Sequence, residues 1–177
     1  MTNEHFEATI LIHLDAAYNL ARWLIDDEAS AEDAVQDACV RAQRFFASQS
    51  GPSAKAWFMA IVRNCSMDTL RDRKARGFED AYEESIHGQP RNTNDGEPDN
   101  PEQQMGRTSD ARWVRAAIAS LPPEYRETII LRELEEMSYK EISAIVKVPI
   151  GTVMSRLARG RDLLSQRLHA DLKKAGA

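Results

Sequence analysis

Ser138-Tyr139-Lys140-Glu141-Ile142-Ser143-Ala144-Ile145-Val146-Lys147-Val148-Pro149-Ile150-Gly151-Thr152-Val153-Met154-Ser155-Arg156-Leu157-Ala158-Arg159 is the stretch on which the reading of this chain turns. A serine followed three residues later by glutamate is a capping box, in which each side chain satisfies a backbone N–H at the other's end of the first turn. It predicts a helix of about eight residues with Ile142, Ile145 and Val146 inward. A turn through Lys147, Val148 and Pro149 follows, then a longer helix carrying Val153, Leu157, Leu164 and Leu168 inward. Two short helices around a tight turn, the second one basic, form the pattern of a DNA-reading helix-turn-helix. With Val153 and Leu157 packed, Thr152, Ser155, Arg156 and Arg159 fall on the outer face near the helix start. There arginine can pair with both acceptors of guanine, and hydroxyls can meet phosphates or base edges. Lys147 joins this candidate DNA-binding set from the turn, and Arg161, Arg167 and Lys173 add less specific attraction.

Upstream, Leu121-Pro122-Pro123-Glu124 restarts the chain after a shorter helix around residues 110–120, since proline suits a first helical turn. Tyr125, Ile129, Ile130 and Leu134 are expected to give the restarted helix its core face. Before these lies EDAYEESIHGQPRNTNDGEPDNPEQQ (79–104), rich in Pro, Gly, Asn and acid and almost without large apolar residues. Such a segment cannot bury enough surface to offset its ordering entropy, and is expected to be a flexible linker. The N-terminal block reads as three main helices. Phe6, Ile10, Leu14, Tyr18, Ala21 and Ile25 form one stripe. Ser30 is expected to cap a second helix with Asp33 in its first turn and Ala34, Val35, Ala38, Cys39, Ala42, Phe45 and Phe46 buried. Gly51-Pro52 breaks it. A third helix runs from about Ala54 to Arg76 with Trp57, Phe58, Ile61, Val62, Cys65 and Leu70. The expected class is therefore all-α: two small helical domains, 1–78 and 109–177, joined by an acidic linker over 79–108.

The chain has 177 residues, 42% of them hydrophobic, and a formal net charge of −5. That total conceals a segregated pattern. Asp26–Asp37 holds six acidic residues and no basic one, Lys55–Arg76 six basic against two acidic, and Lys147–Lys174 seven basic against two acidic. Phosphate attraction follows the local field, so two DNA-facing surfaces are compatible with an acidic whole, as are plain solvated helix faces. His5, His13, His87 and His169 are scattered, Cys39 and Cys65 lack ligand spacing and read as buried reduced thiols, and there is no Gly-rich phosphate loop. Catalysis, a metal and a cofactor are accordingly not expected. No apolar run is long enough for a bilayer span, and the acidic N-terminus does not look like a secretory signal, so the expected place of work is the cytoplasm.

Several segments together resemble the extracytoplasmic-function sigma factors of bacterial RNA polymerase. Leu121–Arg126, Leu131–Glu135, Ser138–Ile142, Pro149–Val153 and Ser155–Leu157 are similar, without gaps, to the family's region 4. The resemblance implies a domain that reads the upstream (minus-thirty-five) promoter element and touches the β flap. Lys147 stands where the family often has glycine, Met154 where it often has a polar residue, and Ser143 where it has alanine. Ala31–Asp37 with Arg41-Ala42 resembles the region 2 segment that docks on the β′ coiled coil, which implies that Asp33, Gln36, Asp37, Val40 and Arg44 face core polymerase. An acidic, amide-bearing face suits a partner carrying arginines. Ala54–Phe58 through Arg73 resembles the segment that reads the minus-ten element. The resemblance implies that Lys55, Arg63, Asn64, Arg71 and Arg73 form a basic track for the melted strand beside the loop 48–53. Trp57 sits at core spacing and reads as packing before stacking. Asp68 is open between a functional role and an ion pair with Arg71.

The family implies promoter DNA, core polymerase and an anti-sigma factor as partners, the last able to hold the protein at the inner membrane. No small-molecule substrate and no direct membrane insertion are expected. The acidic linker would follow the RNA-exit path, where Glu83, Glu84, Asp95 and Glu97 could mimic nucleic acid. The competing readings are a sigma-like mimic that titrates an anti-sigma factor, and a stand-alone helix-turn-helix regulator.

Overall fold

The computed structural model describes residues 3–80 and 113–175, with side chains for 4–76 and 113–170. The linker expected over 79–108 lies, beyond Asp80, outside the described residues, as do Glu83, Glu84, His87, Asp95, Glu97 and the side chain of Lys173. Every regular element among the described residues is helical: α1 (Asn3–Ile10), α2 (Leu14–Leu24), α3 (Glu28–Phe45), α4 (Ala54–Asp80), α5 (residues 113–119), α6 (Pro123–Ile129), α7 (Tyr139–Val146) and α8 (Ile150–Ala175). No helix among them is long and apolar enough to cross a membrane.

In the N-terminal block α2, α3 and α4 pack on one another, and α1 lies on α4. The face of α3 turned inward is almost all alanine (Ala31, Ala34, Ala38 and Ala42, with Val35). Such short side chains let the neighbouring helices approach closely. Opposite them α2 contributes Ala17, Leu20, Ala21 and Leu24, and α4 contributes Phe58, Met59, Val62 and Cys65. Three local expectations are corrected here. The first stripe is not one helix: a 3-10 turn at Leu11–His13 separates α1 from α2 and leaves Ile12 69% exposed. Asp27, not Ser30, caps α3, its carboxylate accepting from the Ser30 N–H at 2.9 Å. Phe45 is exposed, while Phe46 turns inward through a second 3-10 turn onto Phe6, edge to face at 5.4 Å.

The C-terminal block pairs α6 with α8, with α7 against α8. Gly160 is buried where α8 meets α6; a Cβ there would come within 3.0 Å of Ile129 Cγ1. α6 does not end as an α-helix. It widens into a π turn over Ile130–Leu134, with the Glu135 N–H donating to the Ile130 carbonyl at 3.1 Å. The wider turn takes Leu134 off the stripe expected from α-periodicity, so it is exposed while Leu131 and Met137 are buried. The turn between α7 and α8 places Lys147 in the left-handed region, φ 56° and ψ 45°. That conformation costs a non-glycine residue about 1–2 kcal/mol. Ser143, which the sequence marks only as a harmless change, braces the same turn by donating to the Val148 carbonyl at 2.6 Å.

The two blocks share one continuous core. α4 packs on α7 as well as on its own block, and α2 touches α6, so the apolar cluster runs from Phe6 to Leu157.

Candidate nucleic-acid interface

The capping box is present as expected. Ser138 Oγ accepts from the Glu141 N–H, and Glu141 Oε2 accepts from both the Ser138 N–H and its hydroxyl. The box also reaches across the block boundary. Ser53 caps α4 by accepting from the Ala56 N–H at 3.1 Å, and its hydroxyl donates to Glu141 Oε1 at 2.6 Å. One helix start in each block is thereby tied to the other. The Ser53 hydroxyl, helped by the Ser138 donors and Lys55, holds the Glu141 carboxyl below its ordinary range against the opposing effect of burial.

Seen from α8, the upstream candidates divide. Lys147 is exposed in its turn, and Arg159 is exposed with no ion-pair partner among the described residues. Ser155 is exposed and donates to the Thr152 carbonyl at 3.0 Å, while Thr152 is half-buried. Arg156 leaves this face: its Nη1 lies 3.7 Å from Glu127 Oε1 and its side chain is only 24% exposed. Arg161 pairs with Glu133 at 2.7 Å, and Arg167 donates to Ser120 Oγ.

The α4 candidates divide in the same way. Arg63 grips Glu127 with a fork, Nε to Oε2 at 2.6 Å and Nη2 to Oε1 at 3.1 Å. Lys55 Nζ donates to the Glu135 carbonyl at 2.9 Å and lies 3.4 Å from its carboxylate, which also accepts from Asn19 at 2.6 Å. Burial, assisted by Lys55, pushes the nearby His13 imidazole below its usual pKa. Asn64 is half-buried; Arg71 and Arg73 are exposed. Asp68 pairs with both Arg71 (2.8 Å) and Arg41 (3.2 Å), so its ion-pair role is occupied twice. Trp57 is half-buried and packed on the core.

Glu127 and Glu135 are the residues that sequence reasoning missed. Glu127 is 3% exposed yet charged, and it holds one arginine from each block. No signal marked it, because it lies between Tyr125 and Ile129, off the apolar stripe. A second staple joins the blocks on the far side. Arg126 donates to the carbonyls of Ala119, Leu121 (3.1 Å) and Trp23 (3.5 Å), leaving its buried Nε without a partner, and Arg115 stands 5.8 Å over the Trp23 ring.

On the opposite side of the N-terminal block, Asp33, Gln36, Asp37, Val40 and Arg44 are all exposed on α3, and Val35 and Ala38 are buried beneath them. Val40, at 54%, gives the acidic face an apolar centre. Among the described residues no group of His, Cys, Asp and Glu is arranged to hold a metal. Cys39 and Cys65 are free thiols whose pKa burial raises, which makes them unreactive. What the geometry offers is surface for binding.

Comparison with known proteins gives these surfaces a context. The sequence profile of Sigma-70 region 2 matches residues 10–76, and that of Sigma-70, region 4 matches residues 111–164. The ECF RNA polymerase sigma factor SigE of Mycolicibacterium smegmatis is 34% identical over 152 residues, which are 86% of this chain and 57% of that one. The chain thus spans a little over half the length of that relative. The ECF RNA polymerase sigma-E factor of Haemophilus influenzae is 33% identical over 77% of this chain and 73% of its own. Among solved structures, the sigma factor RpoE of Bartonella quintana, in complex with the anti-sigma factor NepR, superposes with a TM-score of 0.68. It is 28% identical, with 91% of this chain and 94% of that one covered.

Proposed function

This chain belongs to the extracytoplasmic-function RNA polymerase sigma factors, non-catalytic polymerase subunits that direct the enzyme to promoters, and we propose how its own residues do this work. The α3 face of Asp33, Gln36, Asp37, Val40 and Arg44 docks on the β′ coiled coil of core polymerase. Its carboxylates pair with partner guanidinium groups around the apolar Val40. The start of α8 enters the major groove of the upstream element, with Arg159 and Ser155 at base edges and Thr152 and Lys147 at the backbone. The basic side of α4, with Lys55, Arg63, Asn64, Arg71 and Arg73, tracks the melted non-template strand. The observation that carries this reading is α8 itself. It is a basic helix with an exposed outer strip, entered from α7 through a left-handed turn, on a molecule whose acidic face lies on another helix.

The pairing of the blocks adds a condition. Lys55 and Arg63 are held by carboxylates of the C-terminal block, where nucleic-acid phosphates or bases would otherwise meet them. The free chain is therefore closed, and promoter loading requires α4 to part from α6 and α7. An anti-sigma partner would act by favouring the closed arrangement. The solved relative was captured with such a partner. The work takes place where bacterial polymerase is, in the cytoplasm.

Run-off transcription with bacterial core polymerase and a library of genomic fragments tests the reading. Discrete transcripts dependent on the chain are expected. A chain that forms no holoenzyme, or a holoenzyme that starts no transcript, refutes it.

A further inference from the structure

Two large apolar residues project from the start of α8: Ile150, 44% exposed, and Met154, 52% exposed. They are four residues apart and so stand one above the other along the helix. At 3.6 residues per turn, Val153, Leu157 and Gly160 make the inward wall of α8, and all three are buried. The outward strip consists of Gly151, Ser155 and Ala158, all exposed, with open space around the position a Gly151 Cβ would take. Met154 borders this strip on one side and Arg159 on the other. A strip of such small side chains lets the helix backbone come close to whatever it faces. Lys147 and Arg159 bracket it with positive charge, which matches a phosphate-flanked groove.

A methionine there cannot donate a hydrogen bond and accepts one only weakly. In the major groove the one feature that rewards an apolar side chain is the C5-methyl group of a pyrimidine, ordinarily thymine. We propose that Met154, supported by Ile150, is a specificity-determining residue that reads thymine methyl groups in the upstream promoter element. The inference rests on the proposed placement of α8 in the major groove.

The test uses holoenzyme reconstituted with bacterial core polymerase and a promoter duplex recovered by run-off selection. The duplex is synthesised with unmodified cytosine, which excludes 5-methylcytosine as the source of the methyl. Each thymine of the upstream element is replaced singly by deoxyuridine, which removes the methyl and nothing else, and binding is followed by fluorescence anisotropy. At one or two positions the wild-type holoenzyme is expected to bind about fourfold more weakly, the equivalent of about 0.8 kcal/mol for one buried methyl. Met154→Ala binds the thymine duplex more weakly and is indifferent to deoxyuridine. Met154→Lys is also indifferent, and its salt dependence steepens by about one phosphate contact. Because Met154 is exposed, both variants should melt with the wild type. A wild-type holoenzyme indifferent at every thymine overturns the methyl reading alone, as does a Met154→Ala variant that keeps the full penalty. A holoenzyme that starts no transcript overturns the sigma-factor reading with it.

Discussion

Removing the Arg63–Glu127 pair should open the molecule. Glu127 is 4% exposed at its side chain and Arg63 20%, and the two are joined by a fork with contacts of 2.6 and 3.1 Å. Breaking a fully buried pair costs about 3–5 kcal/mol, because the remaining charge is stranded. Arg63 keeps a fifth of its side chain in solvent and rehydrates when released. The coupling between the two residues is therefore expected to be smaller, about 2 kcal/mol. That is roughly thirtyfold in the ratio of closed to open forms. Arg63→Met keeps the aliphatic stem and removes the fork, while Arg156 still shares Glu127, so the C-terminal block retains its own contact. A double-mutant cycle of Arg63→Met and Glu127→Gln by urea unfolding measures the coupling, and small-angle scattering reports the separation of the blocks. Each single variant should destabilise and expand the molecule, and the double variant should cost little more than the larger single one. Glu127→Gln, which releases both arginines, should also raise the affinity of the free chain for its promoter duplex. Additive single effects within about 0.5 kcal/mol, with an unchanged radius of gyration, would refute the closed-state argument.

Arg159→Ala should weaken binding to the upstream element by about 1–3 kcal/mol through loss of a bidentate base contact, read by gel shift of the holoenzyme. Unaltered affinity removes Arg159 from the interface. Asp37→Lys should abolish capture of core polymerase in a pull-down while leaving the melting temperature unchanged, since Asp37 is exposed. Lys147→Gly should raise stability by about 1 kcal/mol in thermal melts, because glycine adopts the left-handed turn without the Cβ clash. Glu141 gives a pH signature. Its folded pKa is depressed, so its stabilisation is intact above the ordinary 4.5 and drains away as pH falls from there through the lower folded value. Glu141→Gln should therefore be less stable at neutral pH but show a flatter stability profile below 4.5 in acid titration by circular dichroism.

Much of the fold is local, and so was legible. The Ser138–Glu141 box, the proline restart at Pro122-Pro123 and the break at Gly51-Pro52 each act within a few residues. The misreadings arose where packing overrides periodicity. A π turn shifts Leu134 outward, a 3-10 turn leaves Phe45 exposed while Phe46 stays inward, and Leu11–His13 interrupts what the stripe made one helix.

The sequence by itself determined that the chain is helical, that it has two basic zones and an acidic one, and which side chains stand on the outer face of α3 and, Arg156 excepted, on that of α8. These follow from spacing and capping, whose physics spans one or two helical turns. Only the tertiary structure decided what those side chains meet. Arg63 and Arg156 lie 93 residues apart, and Glu127 looks like any surface glutamate until α4, α6 and α8 bring all three together. A charge pattern along the chain gives the sign of a surface. Whether a given arginine is free for a phosphate depends on a carboxylate arriving from another helix, and contacts of that range leave no periodic trace.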